Sequence, residues 1–295
     1  MPPAQAVSEA TDAVREADLL PPADWDRLPD YATLLTARHE AHAKTFERMI
    51  AALPLPPGGV ALDIAIGDGF YTGLLADRDG SGLVLGLDVD PEFLRLAESA
   101  YVDRPNTRLL CGDAAALPLP DGSVDLVWCA HSLRSLPDAR AAVTEWARVL
   151  TPDGHIAILE NDRLHEVLLP WPPEVELALY HAECAADDSG GSDELGGLHA
   201  GRRLHRLATE CGLRLLTKQS DVTDATPPSD ADRAFLKLYL ADLVDRVRPS
   251  LSDADWDRVR PYVDPDGASY LASDPDLEMT FFDSVALMVP GERPA

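Results

Sequence analysis

Apolar positions along the middle of this 295-residue chain fall into short runs separated by stretches of helical period. The runs at 60–64, 83–89, 108–111, 124–129 and 155–160 are short and mainly apolar, as buried parallel strands are. A helix at 139–150 and a turn at Thr151-Pro-Asp-Gly154 precede the last of them. Strand and helix alternate over about 100 residues, which predicts a parallel sheet covered by helices on both faces. Upstream, 31–53 reads as a helix with apolar Leu34, Leu35, Phe46, Met49 and Ile50, stopped by Pro54, Pro56 and Pro57. Downstream, a Pro-rich break at 170–173 is followed by helices at 175–185 and 200–210, the second ended by Gly212. A strand at 213–218, a helix-rich stretch at 228–275 and a final strand at 279–288 complete the pattern, and no internal repeat is visible.

The first strand runs into a glycine turn. Asp63, Gly67 and Gly69 are spaced D-x-x-x-G-x-G, which lets the backbone turn sharply and approach a ligand. The second strand ends on Asp88, about 20 residues on, where a ribose-binding carboxylate belongs in a nucleotide-binding βαβ unit. Asp90 precedes Pro91 and suits the helix N-cap, which leaves Asp88 for the ribose. A dehydrogenase fingerprint is not met, because the third glycine position holds Thr72 and Gly73 falls one residue late.

With these runs in place, the chain resembles the class I S-adenosylmethionine-dependent methyltransferases of small-molecule type. The resemblance rests on LDIAIGDG (62–69), GLDVDPEFLRLA (86–97), GDAAALPLPDGSVDLVWCAHSLRSLPD (112–138) and RVLTPDGHIAILE (148–160). It covers roughly 45–220, and Ala65 stands where the family usually has a further glycine. It implies a seven-stranded doubly wound, Rossmann-like α/β sheet, with a helical N-terminal cap and a helical insertion before the last strand. The expected parts are an arm and cap (1–53), a cofactor-binding core (54–221), an insertion serving as lid or dimer interface (222–277), and the last strand with its tail (278–295).

S-adenosylmethionine is the implied cofactor. Asp63, Ala65, Gly67 and Gly69 would surround its methionine end, with the backbone of Cys129 facing the amine. Asp88 and Val89 would meet the ribose, Asp113 and Ala114 the adenine. The implied activity is methyl transfer to a small molecule, with oxygen favoured over nitrogen or carbon. A sulfonium-assisted cyclisation or elimination is the competing reading, and a non-catalytic binding module on the same fold is another. His131, just past the fourth strand at the ligand edge of the sheet, is the candidate base. Tyr31, His39, Tyr71, Arg134, Glu160 and His165 are expected to line the substrate side. His39 and His42 share a helix face with Arg38, and that spacing favours a solvated polar face over a metal pair. No metal is expected.

Charge narrows the partners. A formal net charge of −26 disfavours nucleic acid and anionic membranes, whose affinity draws on Lys and Arg, and only three of the 25 basic residues are Lys. Cys111, Cys129, Cys184 and Cys211 lack metal or disulfide spacing and read as free thiols of a reducing cytoplasm. The Pro- and Ala-rich segment 1–24 has no signal-peptide core and reads as a mobile arm or a loosely docked helix, and no apolar run is long enough to span a bilayer. Segment 187–197, DDSGGSDELGG, reads as a flexible acidic loop.

Overall fold

Strands β1 (Ala61–Ile64), β2 (Val84–Asp88), β3 (Thr107–Cys111), β4 (Val124–Ala130) and β5 (Leu150–Leu159) pair in parallel in the order β3-β2-β1-β4-β5. The structure is a computed structural model that describes residues 31–78, 80, 82–101, 104–161, 166–186 and 200–291. The expected N-terminal arm and acidic loop lie outside those residues. Every residue of β1 and β2 is buried, so these strands read as continuous apolar runs rather than alternating ones.

One face of the sheet packs against α4 (Ala139–Val149) and α6 (Ala200–Glu210) through Val143, Trp146, Leu204 and Leu207. The other meets α1 (Ala32–Ala51) and α2 (Phe70–Ala76) through Phe46, Ile50, Tyr71 and Leu75. Helix α3 (Pro91–Tyr101) joins β2 to β3. Strand β8 (Thr280–Pro290) lies antiparallel between β5 and β7 (Leu213–Asp224), which completes the expected seven strands. An eighth, the two-residue β6 (Val167–Leu168), pairs with the start of β8.

Strand β7 runs six residues beyond its expected end at 218 because β8 supplies hydrogen-bond partners along its whole length. Its outer half, Thr217 to Asp221, is polar and half or fully exposed, so periodicity carried no signal there. Thr151 to Gly154 stand in a bulge: Val124 pairs with Leu150, but Leu126 pairs with His155.

The stretch between β7 and β8 forms α7 (Asp230–Val247) and α8 (Asp253–Val263). With α5 (Pro173–Ala186) they enclose a second apolar core of Leu179, Phe235, Leu236, Leu240, Val259 and Phe281. Helix α1 lies between the two cores. Phe46 and Ile50 face the sheet, while Leu34, Ala37 and Ala41 pack on the second core. This position corrects the solvated face expected for His39 and His42, each only 3% exposed. Both flanks of the helix are covered, so its histidines are internal. Among the described residues no helix is long and apolar enough to cross a membrane.

The seating of α7 starts from a reciprocal cap. Ser229 Oγ accepts from Asp232 N at 3.2 Å, and Asp232 Oδ2 accepts from Ser229 N at 2.8 Å. Ser229→Ala is expected to lower stability by about 1 kcal/mol in urea unfolding.

Candidate active site

At the C-terminal ends of β1 and β4, where strand order reverses, the sheet carries a cavity of about 420 Å³. Its floor is the turn after β1 together with Ala130, His131 and Ser132 after β4; its roof comes from α1 and α7.

The turn is held in left-handed backbone, with φ of 55° at Ala65, 53° at Gly67 and 79° at Gly69. Glycine accepts this conformation freely, and Ala65 does so against a steric cost. Helix α1 packs directly on the turn: a Cβ at Gly67 would sit 2.7 Å from Leu35 Cδ2. Three carboxylates surround it. Asp63 is buried within β1, accepts from Thr72 Oγ1 at 2.6 Å, and is pushed up to about 8 by burial, with Asp88 and Asp68 adding to the rise. Asp88, raised by burial, accepts from Gly67 N at 3.0 Å and Asp90 N at 2.9 Å. Asp90 in turn accepts from Glu92 N at 2.8 Å as the helix-capping residue.

Asp68 points the other way, to the roof. It accepts from His39 Nδ1 at 3.0 Å, Thr36 Oγ1 at 3.2 Å and Phe70 N at 3.2 Å. Burial opposes its charge, but His39 and these donors outweigh burial and hold the carboxyl below its usual range. His39 stacks on Phe70 with centroids 4.4 Å apart and meets Tyr71 edge-on at 5.0 Å.

Deeper in, Arg38 reaches Glu166 at 3.0 Å and Asp283 of β8 at 3.3 Å. Asn161 donates to Asp283 at 3.0 Å and accepts from Ser284 N at 2.9 Å. His131, with φ of 52°, has Nε2 3.9 Å from Asp283, and His42 Nδ1 lies 4.0 Å from it. Both distances exceed a hydrogen bond. Burial and then the Arg38 charge depress both imidazoles, His42 to about 3 and His131 well below its usual value, so both are neutral and neither contact is an ion pair.

The cavity wall thus brings together Tyr31, His39, Ala65, Gly67, Tyr71, His131 and Arg134 of the residues expected from the sequence. Asp63 and Cys129 lie behind the wall, fully enclosed in β1 and β4. Gly69 caps α2. Asp88, Val89, Asp113 and Ala114 stand farther along the same sheet edge, outside the enclosed cavity. Val89 and Asp113 are exposed, and Ala114 O accepts from Trp146 Nε1 at 3.0 Å. Glu160 is off this wall: its Oε2 accepts from Leu133 N at 3.0 Å and burial pushes it up to about 7. His165 falls outside the described residues.

Sequence reasoning passed over Asp68, Glu166, Phe235 and Asp283, while Tyr239 is expected among the residues by which the insertion covers a cavity. Asp283 had a signal, a lone acid in the apolar run TFFDSVALMV, and Asp68 sat inside the glycine motif itself. Glu166 and Phe235 had none, since only the fold brings them to the site.

The Asp63 carboxyl generates a pH test. Its folded value is above the unfolded one, so the stability tied to its protonated form is complete below about pH 4 and is lost as pH rises toward 8. Asp63→Asn, which still accepts from Thr72, is expected to gain stability relative to wild type from pH 5 to 8 and no further above that, measured by urea unfolding at each pH.

Comparison with known proteins agrees with this geometry. Residues 62–158 match the family model described as a methyltransferase domain. The demethylmenaquinone methyltransferase of Bacillus licheniformis is 34% identical over 123 residues, 41% of this chain and 53% of that protein. The enzyme of the same name from Staphylococcus carnosus is 34% identical over 125 residues, 42% of this chain and 52% of that protein. The chain spans about half the length of these curated relatives. Among solved structures, the YcgJ protein of Bacillus subtilis covers 86% of this chain and 100% of its own at TM-score 0.53 and 16% identity. The [4+2]-cyclase SpnF covers 92% and 97% at TM-score 0.52 and 19% identity, so these likenesses speak for the fold alone. Sheet order, glycine turn and matched domain together make residues 62–158 a methyltransferase domain similar to those of the class I S-adenosylmethionine-dependent methyltransferases.

Proposed function

We propose that this chain transfers the methyl group of S-adenosylmethionine to a small hydroxylated aromatic of quinol type. The observation that carries the reading is the division of the cavity. Its floor is a glycine turn with carboxylates beside it, and its roof sets the apolar and aromatic Leu34, Leu35, Phe235 and Tyr239 next to the polar Arg38, His39, Asp242 and Arg246. The residues suit the cofactor. Asp68, held ionised beside the turn, gives a negative field complementary to a cation, and Asp88 ends β2 with oxygens able to accept further hydrogen bonds from a ribose diol. Asp113 and Ala114 are the adenine side of this assignment. When bound, S-adenosylmethionine supplies a methyl group already activated on a sulfonium.

The protein's own task is then to orient the acceptor and exclude water. Leu35 and Tyr31 cover the turn, and Phe235 and Tyr239 bring the insertion over the cavity, which supports a lid rather than a dimer interface for 222–277. Tyr71 and the roof rings suit a flat acceptor, while Ser132, His131 and Arg134 offer polar contacts to its hydroxyl. The relatives named demethylmenaquinone methyltransferases support an acceptor of quinone type. Oxygen is the favoured acceptor atom, because a hydroxyl must lose a proton and imidazoles line the wall. The strongly acidic surface argues against nucleic acid as the acceptor.

Two measurements test the reading. In calorimetry, Asp88→Ala is expected to weaken binding of S-adenosylhomocysteine by about 1–3 kcal/mol; absence of binding by the wild-type protein ends the cofactor assignment. With S-adenosylmethionine and 1,4-naphthohydroquinone, mass spectrometry is expected to find S-adenosylhomocysteine together with a monomethylated product. A converted acceptor without S-adenosylhomocysteine would mean that the cofactor is not the methyl donor.

A further inference from the structure

We propose that His39, held by Asp68, is the base that takes the acceptor's proton; this rests on the methyltransferase reading above. His39 is on the cavity wall, and its Nδ1 lies 3.0 Å from Asp68 Oδ2. An ionised carboxylate only accepts, so the proton of this hydrogen bond sits on Nδ1, and in the neutral imidazole, the form a base requires, the lone pair sits on Nε2. Nε2 is buried and has no hydrogen-bond partner among the described residues. Because it also stands on the cavity wall, this nitrogen can accept from the hydroxyl of a bound acceptor. The ring cannot turn away: Phe70 lies stacked on it at 14°, with Tyr71 and Phe46 edge-on.

The choice between His39 and His131 is electrostatic. The groups around His39 are Arg38 and His42 on its own helix, Asp68 from the turn, Tyr71 from α2 and His131 after β4. Arg38 is met by Glu166 and Asp283, and Tyr71, His42 and His131 are neutral. A proton arriving on His39 is therefore stabilised by the adjoining carboxylate. One arriving on His131 would face Arg38 and Arg134 with no hydrogen-bonded carboxylate. The step balances. The acceptor O–H bond breaks, its proton goes to Nε2, and the oxygen pair forms O–CH₃. The S–CH₃ pair returns to sulfur as a neutral thioether, and the imidazolium remains paired with Asp68. Asp68 is the positioning residue of the pair, and it lies between Gly67 and Gly69 of the cofactor turn.

The tautomer can be read without an acceptor. Nitrogen-15 spectra of the full-length protein with S-adenosylhomocysteine are expected to show His39 protonated on Nδ1 and bare on Nε2, and Asp68→Asn to lose that preference. For turnover, His39→Asn keeps an N–H donor toward Asp68 while removing the base. With 1,4-naphthohydroquinone it is expected to lower kcat roughly 10²- to 10⁴-fold, leave the KM for S-adenosylmethionine within about threefold, and abolish the acidic limb of the pH profile. His131→Asn is expected to retain that limb. A proton on Nε2 in the wild-type spectrum overturns the proposal, as does a limb lost in His131→Asn but kept in His39→Asn. A wrong acceptor class appears instead as absent turnover with the Nδ1 proton intact, and the spectrum then decides the base alone.

Discussion

A guanidinium taken out of water has to be met by carboxylates, and Arg38 is met by two that the chain supplies from far downstream, Glu166 and Asp283. Losing one partner of such a buried pair typically costs about 3–5 kcal/mol, because the other charge is left without water or counterion. The contact therefore fixes α1 against the end of the sheet. It also sets the chemistry nearby: its positive charge is part of what keeps His42 and His131 neutral. His39, one residue along the same helix, turns instead to Asp68. One helix thus carries both the cation that depresses two imidazoles and a third imidazole hydrogen-bonded to a carboxylate.

The strands of the parallel half were legible because β1 and β2 are buried along their whole length and β4 along most of it, so that apolar residues predominate in them. The glycine turn and Asp88 were legible because backbone geometry and ribose chemistry admit few residue types. The roof was not. Phe235 and Tyr239 look like any apolar helix positions, and nothing local in them distinguishes facing a core from facing a cavity. The histidines of α1 were misread for the same reason. A helix face with His and Arg reads as solvated unless one knows that a second core closes over it. Burial of polar groups is a tertiary fact, and the local sequence records it only where an acid interrupts an apolar strand, as at Asp63 and Asp283.

Two non-glycine residues in left-handed backbone, Ala65 and His131, stand at the ends of neighbouring strands, both on the cavity wall. Such conformations cost on the order of 1 kcal/mol or more each and persist only where the surroundings hold them. Here the holding comes from the sheet. His131 N donates to Leu159 O at 2.8 Å, and Ile66 N donates to Leu87 O at 3.2 Å. The rigid layer beneath the cavity positions the chemistry, while the covering above is built from segments that pack by side chains and a few charge pairs.

The pairing of Arg38 with Asp283 spans 245 positions of sequence. Synthesis proceeds from the N-terminus, so α1 is made long before the strand that satisfies it. Until β8 is added between β5 and β7, the helix lacks the second of its two carboxylates and the Phe281 ring that lies 3.5 Å from His42. The roof is thus the last part of the molecule that can be assembled, and a nascent chain holding the whole glycine turn still lacks a closed chamber. Completion of the sheet acts as a checkpoint, separating possession of the cofactor motif from possession of an enclosed reaction space.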